Sequence, residues 1–210
     1  MVNITYINPR DFTTDKHQTV DSRIYGGGEG LLMKAKPIID AVEHAISLIQ
    51  NKKKPRKKLV TGNRKQETLS FQIIYPSPST TYFNQQMAFD LTQEENIIFV
   101  CGRYEGIDYR FEHYCTEKYP ENFRKVSIGK YILYGGEVPC MTIMEAITRL
   151  LPGGTHKPPL TESYYPEVGE DTVENPHYTR PQEIYGYKIP DILLSGHHKN
   201  IDKWRDDMMS

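Results

Sequence analysis

Three glycine-bearing segments hold the residue types best suited to gripping a ligand: Tyr-Pro-Ser-Pro at 75–78, Cys-Gly-Arg-Tyr-Glu-Gly-Ile-Asp at 101–108, and Ser-Ile-Gly-Lys-Tyr-Ile-Leu-Tyr-Gly-Gly-Glu at 127–137. Each follows or interrupts a predicted strand. Loops leaving the carboxyl ends of strands are where open α/β sheets bind ligands, and glycine permits close backbone approach. None of the segments matches G-x-G-x-x-G or G-x-x-x-x-G-K-[ST], so neither a dinucleotide fold nor a phosphate loop is supported. For any one loop alone, turn chemistry is a sufficient explanation. The acids between 153 and 181, Glu162, Glu167, Glu170, Asp171 and Glu174, read singly as solvated loop charges. Cys101, Cys115 and Cys140 are widely separated and lack C-x-x-C spacing, which argues for reduced thiols and against a zinc site or a disulfide framework.

The elements that must position these loops are legible from periodicity. A short strand is predicted over Ile4 to Ile7, then a glycine-rich turn at 25–30. Pro37 suits the first turn of an amphipathic helix whose apolar residues, Ile38, Ile39, Val42, Ala45, Ile46 and Ile49, recur at three- and four-residue spacing. Strands are predicted at Phe71 to Tyr75, Ile97 to Cys101 and Val126 to Leu133, with helices at Gln85 to Leu91, Pro139 to Leu151 and His198 to Met209. Strands alternating with helices imply an α/β sheet. The stretch from Gly153 to Pro181 has no convincing period and reads as an inter-domain linker.

Composition bounds the function classes. With 210 residues, 38% of them hydrophobic, one main domain with a small appendage is expected. The longest apolar runs fall far short of the roughly 20 residues that span a bilayer, and the N-terminus shows no secretory signal. A cytoplasmic location is the expectation. A net charge of −1 and a pI near 6.7 mean that any contact with nucleic acid must be local. The basic stretch at 52–65 is the one dense cluster of positive charge; it suits either a solvated loop or a contact to an RNA backbone.

Taken together, the motifs resemble those of the bacterial tRNA (guanine-N1)-methyltransferases, the TrmD family of the SPOUT class. The resemblance rests on six ordered runs: Pro-Arg-Asp-Phe at 9–12, Tyr-Gly-Gly-Gly at 25–28, the 101–108 run, the run from Ser127 to Pro139, Pro-His-Tyr-Thr-Arg-Pro at 176–181, and Leu-Leu-Ser-Gly ending at Gly196. It implies a trefoil-knotted parallel sheet with flanking helices, an exception to the rule against knotted chains. The implied organisation is a knotted domain over 1–153 lacking its first strand, a flexible linker over 154–181, and the start of a truncated tRNA-binding helical domain over 182–210.

Carried over position by position, the resemblance assigns S-adenosylmethionine binding to Ser77, Pro78, Gly102, Ile128, Gly129, Lys130, Tyr131, Ile132, Leu133, Gly135 and Gly136, with Glu105 near the donor and the reacting guanine. Guanine N1 carries a proton that must leave as the methyl group arrives, so a carboxylate base is needed. Negative charge then grows toward O6, where a guanidinium would stabilise it. The resemblance gives the second task to Arg149 and the first to Glu162, with Asp171 as a fallback. From spacing alone, Arg149 also suits a structural role, four residues after Glu145 and near a helix C-terminus. A tRNA substrate with guanine 3′ of the anticodon, a homodimer with shared active sites, and magnesium dependence are further implications.

The sequence departs from the family pattern at Glu162 and Lys130, where aspartates are usual, at Tyr134, where serine is usual, and at Thr80, where glycine is usual. The basic stretch resembles an insertion. These departures leave open a second expectation: a truncated or degenerate relative that binds the donor or RNA without turnover.

Overall fold

The computed structural model describes residues 2–53, 70–152, 163–164, 169 and 171–209. They fall into two compact units, Met1–Leu151 and Pro152–Ser210. Most of the basic stretch at 52–65 lies outside the described residues.

The first unit is built on a parallel sheet of three strands, β3 (Gln72–Pro76), β4 (Ile97–Phe99) and β5 (Phe123–Val126), in the order β4-β3-β5. The middle strand pairs on both edges, Ile74 lying opposite Phe99 on one side and Arg124 on the other. Such a strand must be apolar on both faces, and all five of its residues are buried. Because successive side chains point to opposite faces, Ile73 and Ile74 found separate cores. Ile73 and Tyr75 pack with Ile38, Val42 and Ile46 of helix α1 (Ala35–Lys53) and with Phe111 and Cys115 of helix α3 (Arg110–Lys118). Ile74 and Val126 pack with Ala88 and Leu91 of helix α2 (Gln85–Leu91) and with Ile143 and Ile147 of helix α4 (Glu137–Leu150).

A polar clamp joins α1 to α3 at the edge of the first core. The Glu43 carboxylate accepts from Tyr119 Oη at 2.7 Å, Tyr114 Oη at 3.1 Å and Lys118 Nζ at 2.9 Å. Burial raises the Glu43 pKa, but the hydrogen bonds from Tyr119, Lys118 and Tyr114 outweigh it and hold the carboxyl below its ordinary range.

Ahead of the sheet, β1 (Asp21–Arg23) and β2 (Leu31–Met33) form an antiparallel hairpin closed by the glycine-rich turn. Gly26, Gly27, Gly28 and Gly30 all have positive φ, a conformation that other residues resist. The strand expected at Ile4 to Ile7 is absent: those residues pair with no strand, and the first regular element is a 3-10 helix at Pro9–Phe12, capped by Asn8. The strand expected over Val126 to Leu133 lies upstream instead. It ends at Val126, and the Ser127 hydroxyl turns the chain by donating to Gly129 O and accepting from Gly129 N.

The second unit contains a two-strand hairpin, β6 (Glu183–Ile184) with β7 (Tyr187–Lys188), a 3-10 helix at Asp191–Leu194, and helix α5 (His198–Asp207). Ile201 is its buried anchor, and Tyr178 packs against Trp204 with ring centroids 6.3 Å apart. No described helix is long and apolar enough to cross a membrane.

Candidate active site

Parallel strands deliver all three glycine-bearing loops to one edge of the sheet. There they enclose a cleft of about 330 Å³, within the size range of small-molecule sites. Ser77 and Pro78 enter it from β3, and Gly102 and Glu105 from β4. The long loop after β5 supplies Ile128, Gly129, Tyr131, Ile132, Leu133, Gly135 and Gly136.

The loops hold one another in place largely through backbone. Ser77 N–H donates to Val126 O at 2.9 Å, and Ser127 N–H to Thr81 O at 2.9 Å, tying the first loop to the third. Gly136 N–H donates to Gly102 O at 2.8 Å, and Arg103 bridges to Gly135, tying the second loop to the third. Gly136 is buried, and a β-carbon there would meet Cys101 Cα and Gly102 N at 2.9 Å. Only glycine allows this closeness.

The glycine-rich hairpin is stitched to the same region. Met33 N–H donates to Gly106 O at 3.0 Å, and Glu105 N–H donates to Leu31 O at 3.0 Å. Gly30 leaves space for the Glu105 side chain, which a β-carbon at Gly30 would approach to 2.7 Å. The turn itself is tight, with Tyr104 at φ +57° followed by Gly106 at φ +113°.

Further residues beyond those that the resemblance assigns line the cleft, Tyr75, Arg103, Tyr104, Ser127, Tyr134 and Pro139 among them. Arg103 Nε binds Glu137 Oε1 at 2.6 Å across the mouth of the second and third loops. Both residues lie inside the glycine-bearing runs, so the signal was present. Their pairing, 34 positions apart, was not.

Other assignments fall elsewhere. Lys130 does not line the cleft; its ammonium stands over the Tyr82 ring, 6.0 Å from the centroid. Arg149 is exposed in the last turn of α4 and is not among the lining residues. Glu162 lies outside the described residues. The chain just after it is closed by Glu174 N–H donating to Ser163 Oγ and Tyr164 N–H donating to Thr172 O. Among the described residues, no group of three or more His, Cys, Asp or Glu side chains is arranged to hold a metal ion.

A family model described as tRNA (Guanine-1)-methyltransferase TrmD matches residues 1–210. The chain belongs to the TrmD family. Its similarity to curated relatives is of the same kind. It is 39% identical over 213 residues to a tRNA (guanine-N(1)-)-methyltransferase of Lachnoclostridium phytofermentans, covering 98% of this chain and 74% of the relative. It is 41% identical over 207 residues to one of Bacillus cereus, covering 97% and 73%. A relative of the same name from Clostridium tetani is 40% identical over 207 residues, covering 98% and 74%.

As a TrmD family member, the chain is a methyltransferase that places a methyl group on N1 of guanine in tRNA, with S-adenosylmethionine as the methyl donor. The cleft suits such a donor. Its lining includes five glycines, with apolar side chains at Ile128 and Leu133 and polar groups at Ser77 and Glu105.

Proposed function

We propose that the cleft between the three loops is where S-adenosylmethionine binds, and that the methyl group goes to the guanine immediately 3′ of the anticodon. The observation that carries this reading is the convergence of loops from β3, β4 and β5 around one cavity, with Gly136 against Gly102 at its base. The donor supplies an electrophilic methyl sulfonium. In this reading, backbone amides and carbonyls grip the adenosyl group in a bent shape, as the family's knotted topology would allow.

Arg149 is assigned to the charge that builds on guanine O6, because a guanidinium held there stabilises the transition state more than the ground state. Glu162 is assigned as acceptor of the N1 proton. Guanine N1 becomes nucleophilic only as that proton departs, so a carboxylate base lowers the barrier directly. Asp171 is the alternative acceptor within the same segment. Magnesium, which the family resemblance implies, has no ligand cluster among the described residues, and no step is assigned to it.

The reading extends to assembly. Ile132 is 85% exposed, Tyr134 98% and Met141 64%, and exposed apolar side chains gathered on a loop and its following helix favour a contact surface. A homodimer using this face, with each site completed by the other copy, is proposed. Residues 154–181 would then serve as a linker and 182–210 as part of a tRNA-gripping unit, in the cytoplasm.

The test is methylation of a purified tRNA transcript carrying guanine at that position. N1-methylguanine should form there and vanish when the base is changed to adenine. Donor binding by calorimetry without any N1-methylguanine, at high enzyme and donor concentration, would instead establish a binding protein without turnover.

A further inference from the structure

Cys101 and Cys140 stand 39 positions apart in sequence, yet their sulfurs lie 3.5 Å from each other. Cys101 lies two residues beyond strand β4 and is partly exposed, while Cys140 sits in the first turn of α4 and is 2% exposed. Neither lines the donor cleft, but their neighbours do: Gly102 follows Cys101, and Pro139 precedes Cys140. We propose that Cys101 and Cys140 form a reversible disulfide on exposure to a peroxide, and that this cross-link switches off donor binding in the adjoining cleft. The inference rests on the reading of that cleft as the donor site.

The geometry makes the bond both accessible and disruptive. A disulfide holds its sulfurs about 2.05 Å apart, so closure takes up roughly 1.5 Å between the loop that follows β4 and helix α4. Those two backbones have no slack. A β-carbon added at Gly136 would stand only 2.9 Å from Cys101 Cα, and the Gly136 N–H is bonded to Gly102 O. Drawing the sulfurs together therefore displaces the glycines at the base of the cleft. Intracellular disulfides are mostly transient and redox-sensing, which suits a pair placed beside a ligand site.

The two thiols have distinct chemical roles. The hydrogen bond between the two sulfurs holds the Cys101 thiol below its usual range; burial and Glu137 oppose this, and Arg103 assists it. The same hydrogen bond, and then burial, push Cys140 up. The Cys101 thiolate attacks one peroxide oxygen, the O–O bond breaks, and a sulfenic acid forms with release of hydroxide, which takes up a proton. The Cys140 sulfur then attacks the sulfenic sulfur, the S–O bond breaks and water leaves as the Cys140 proton departs. In sum, two thiols are oxidised and one hydrogen peroxide is reduced to two waters. Cys115 is a built-in control, since burial pushes its thiol up to about 12.

The experiment treats the reduced full chain with stoichiometric hydrogen peroxide, maps cysteine-containing peptides by mass spectrometry, and measures donor binding by calorimetry. The expected result is a 101–140 cross-link with Cys115 still a thiol, donor affinity weakened by roughly tenfold or more, a loss of about 1.4 kcal/mol, and recovery with dithiothreitol. Cys140→Ala should keep the reduced affinity and lose the response, and Cys140→Ser provides the same comparison with a different packing. Failure of the cross-link to form, or a cross-linked protein that binds donor as tightly as the reduced one, overturns the proposal. Absence of donor binding in the reduced protein would overturn the reading of the cleft itself, and the peptide map distinguishes that case.

Discussion

A β-carbon on Gly136 would stand 2.9 Å from Cys101 Cα, so the start of α4 and the loop that follows β4 meet backbone to backbone. Neither side can withdraw, because Gly136 N–H is bonded to Gly102 O at 2.8 Å. Gly136→Ala must push the second and third loops apart. The expected outcome is weaker donor binding in the calorimeter and a methyl-transfer rate reduced about a hundredfold, as displacements near 1 Å produce, with an unchanged far-ultraviolet circular dichroism spectrum. Wild-type affinity in the calorimeter would dissociate this contact from donor binding.

Arg149 and Glu162 are assigned to opposite ends of one electron flow, and their variants should behave differently from those of the cleft. Arg149→Ala is expected to lower kcat by about 10²–10³-fold while leaving the donor Kd unchanged. Glu162→Gln should lower it by about 10²–10⁴-fold, with Glu162→Asp retaining most activity. If Asp171→Asn proves the damaging change and Glu162→Gln is silent, the proton acceptor is Asp171.

The Glu43 clamp predicts a pH dependence of stability. Its folded-state pKa is depressed below the ordinary 4.5, so the folded protein holds that proton less tightly than the unfolded chain does. The stabilisation is therefore fully present above about pH 4.5 and is lost as pH falls through the lower, folded value. Thermal midpoints of wild type and Glu43→Gln should differ at pH 7 and converge as the pH drops below 4.5. A constant difference across that window would show that packing, not charge, is what the variant removes.

The exposed apolar residues around the start of α4 make the dimer testable. Ile132→Asp and Met141→Asp introduce a charge that an apolar interface cannot solvate. Analytical ultracentrifugation should show the wild-type chain sedimenting at twice the chain mass and each variant at the chain mass. Unchanged sedimentation of both variants would move the interface elsewhere.

Much of this protein was legible from local pattern. The three- and four-residue spacing of Ile38, Val42 and Ile46 announces α1, the residues of α2 were bounded as Gln85 to Leu91, and the continuous apolar run ending at Tyr75 marks the central strand. Helix α3 is not legible from periodicity because it buries only Phe111 and Cys115, too thin a stripe to stand out among charged residues. Strand β5 lies upstream of the apolar run because Arg124 and Lys125 lie inside it, whereas the apolar residues Tyr131, Ile132 and Leu133 belong to the loop beyond. There Lys125 is accommodated by pairing with Glu112 at 2.9 Å, a partner on α3 that no local window contains.

The site divides in the same way. The glycines of the three loops, Glu105 and the order of the family's motifs are readable in the sequence because each loop keeps its residues adjacent. Their convergence on one cleft was not readable, since it depends on the parallel register of β4 and β5 against β3 and on two cores that hold those strands together. Pairings of high sequence separation, Arg103 with Glu137, Gly136 with Cys101, and Cys101 with Cys140, arise from that packing alone. Periodicity is a property of neighbours along the chain, whereas contact between distant segments is settled by how whole elements bury their apolar faces.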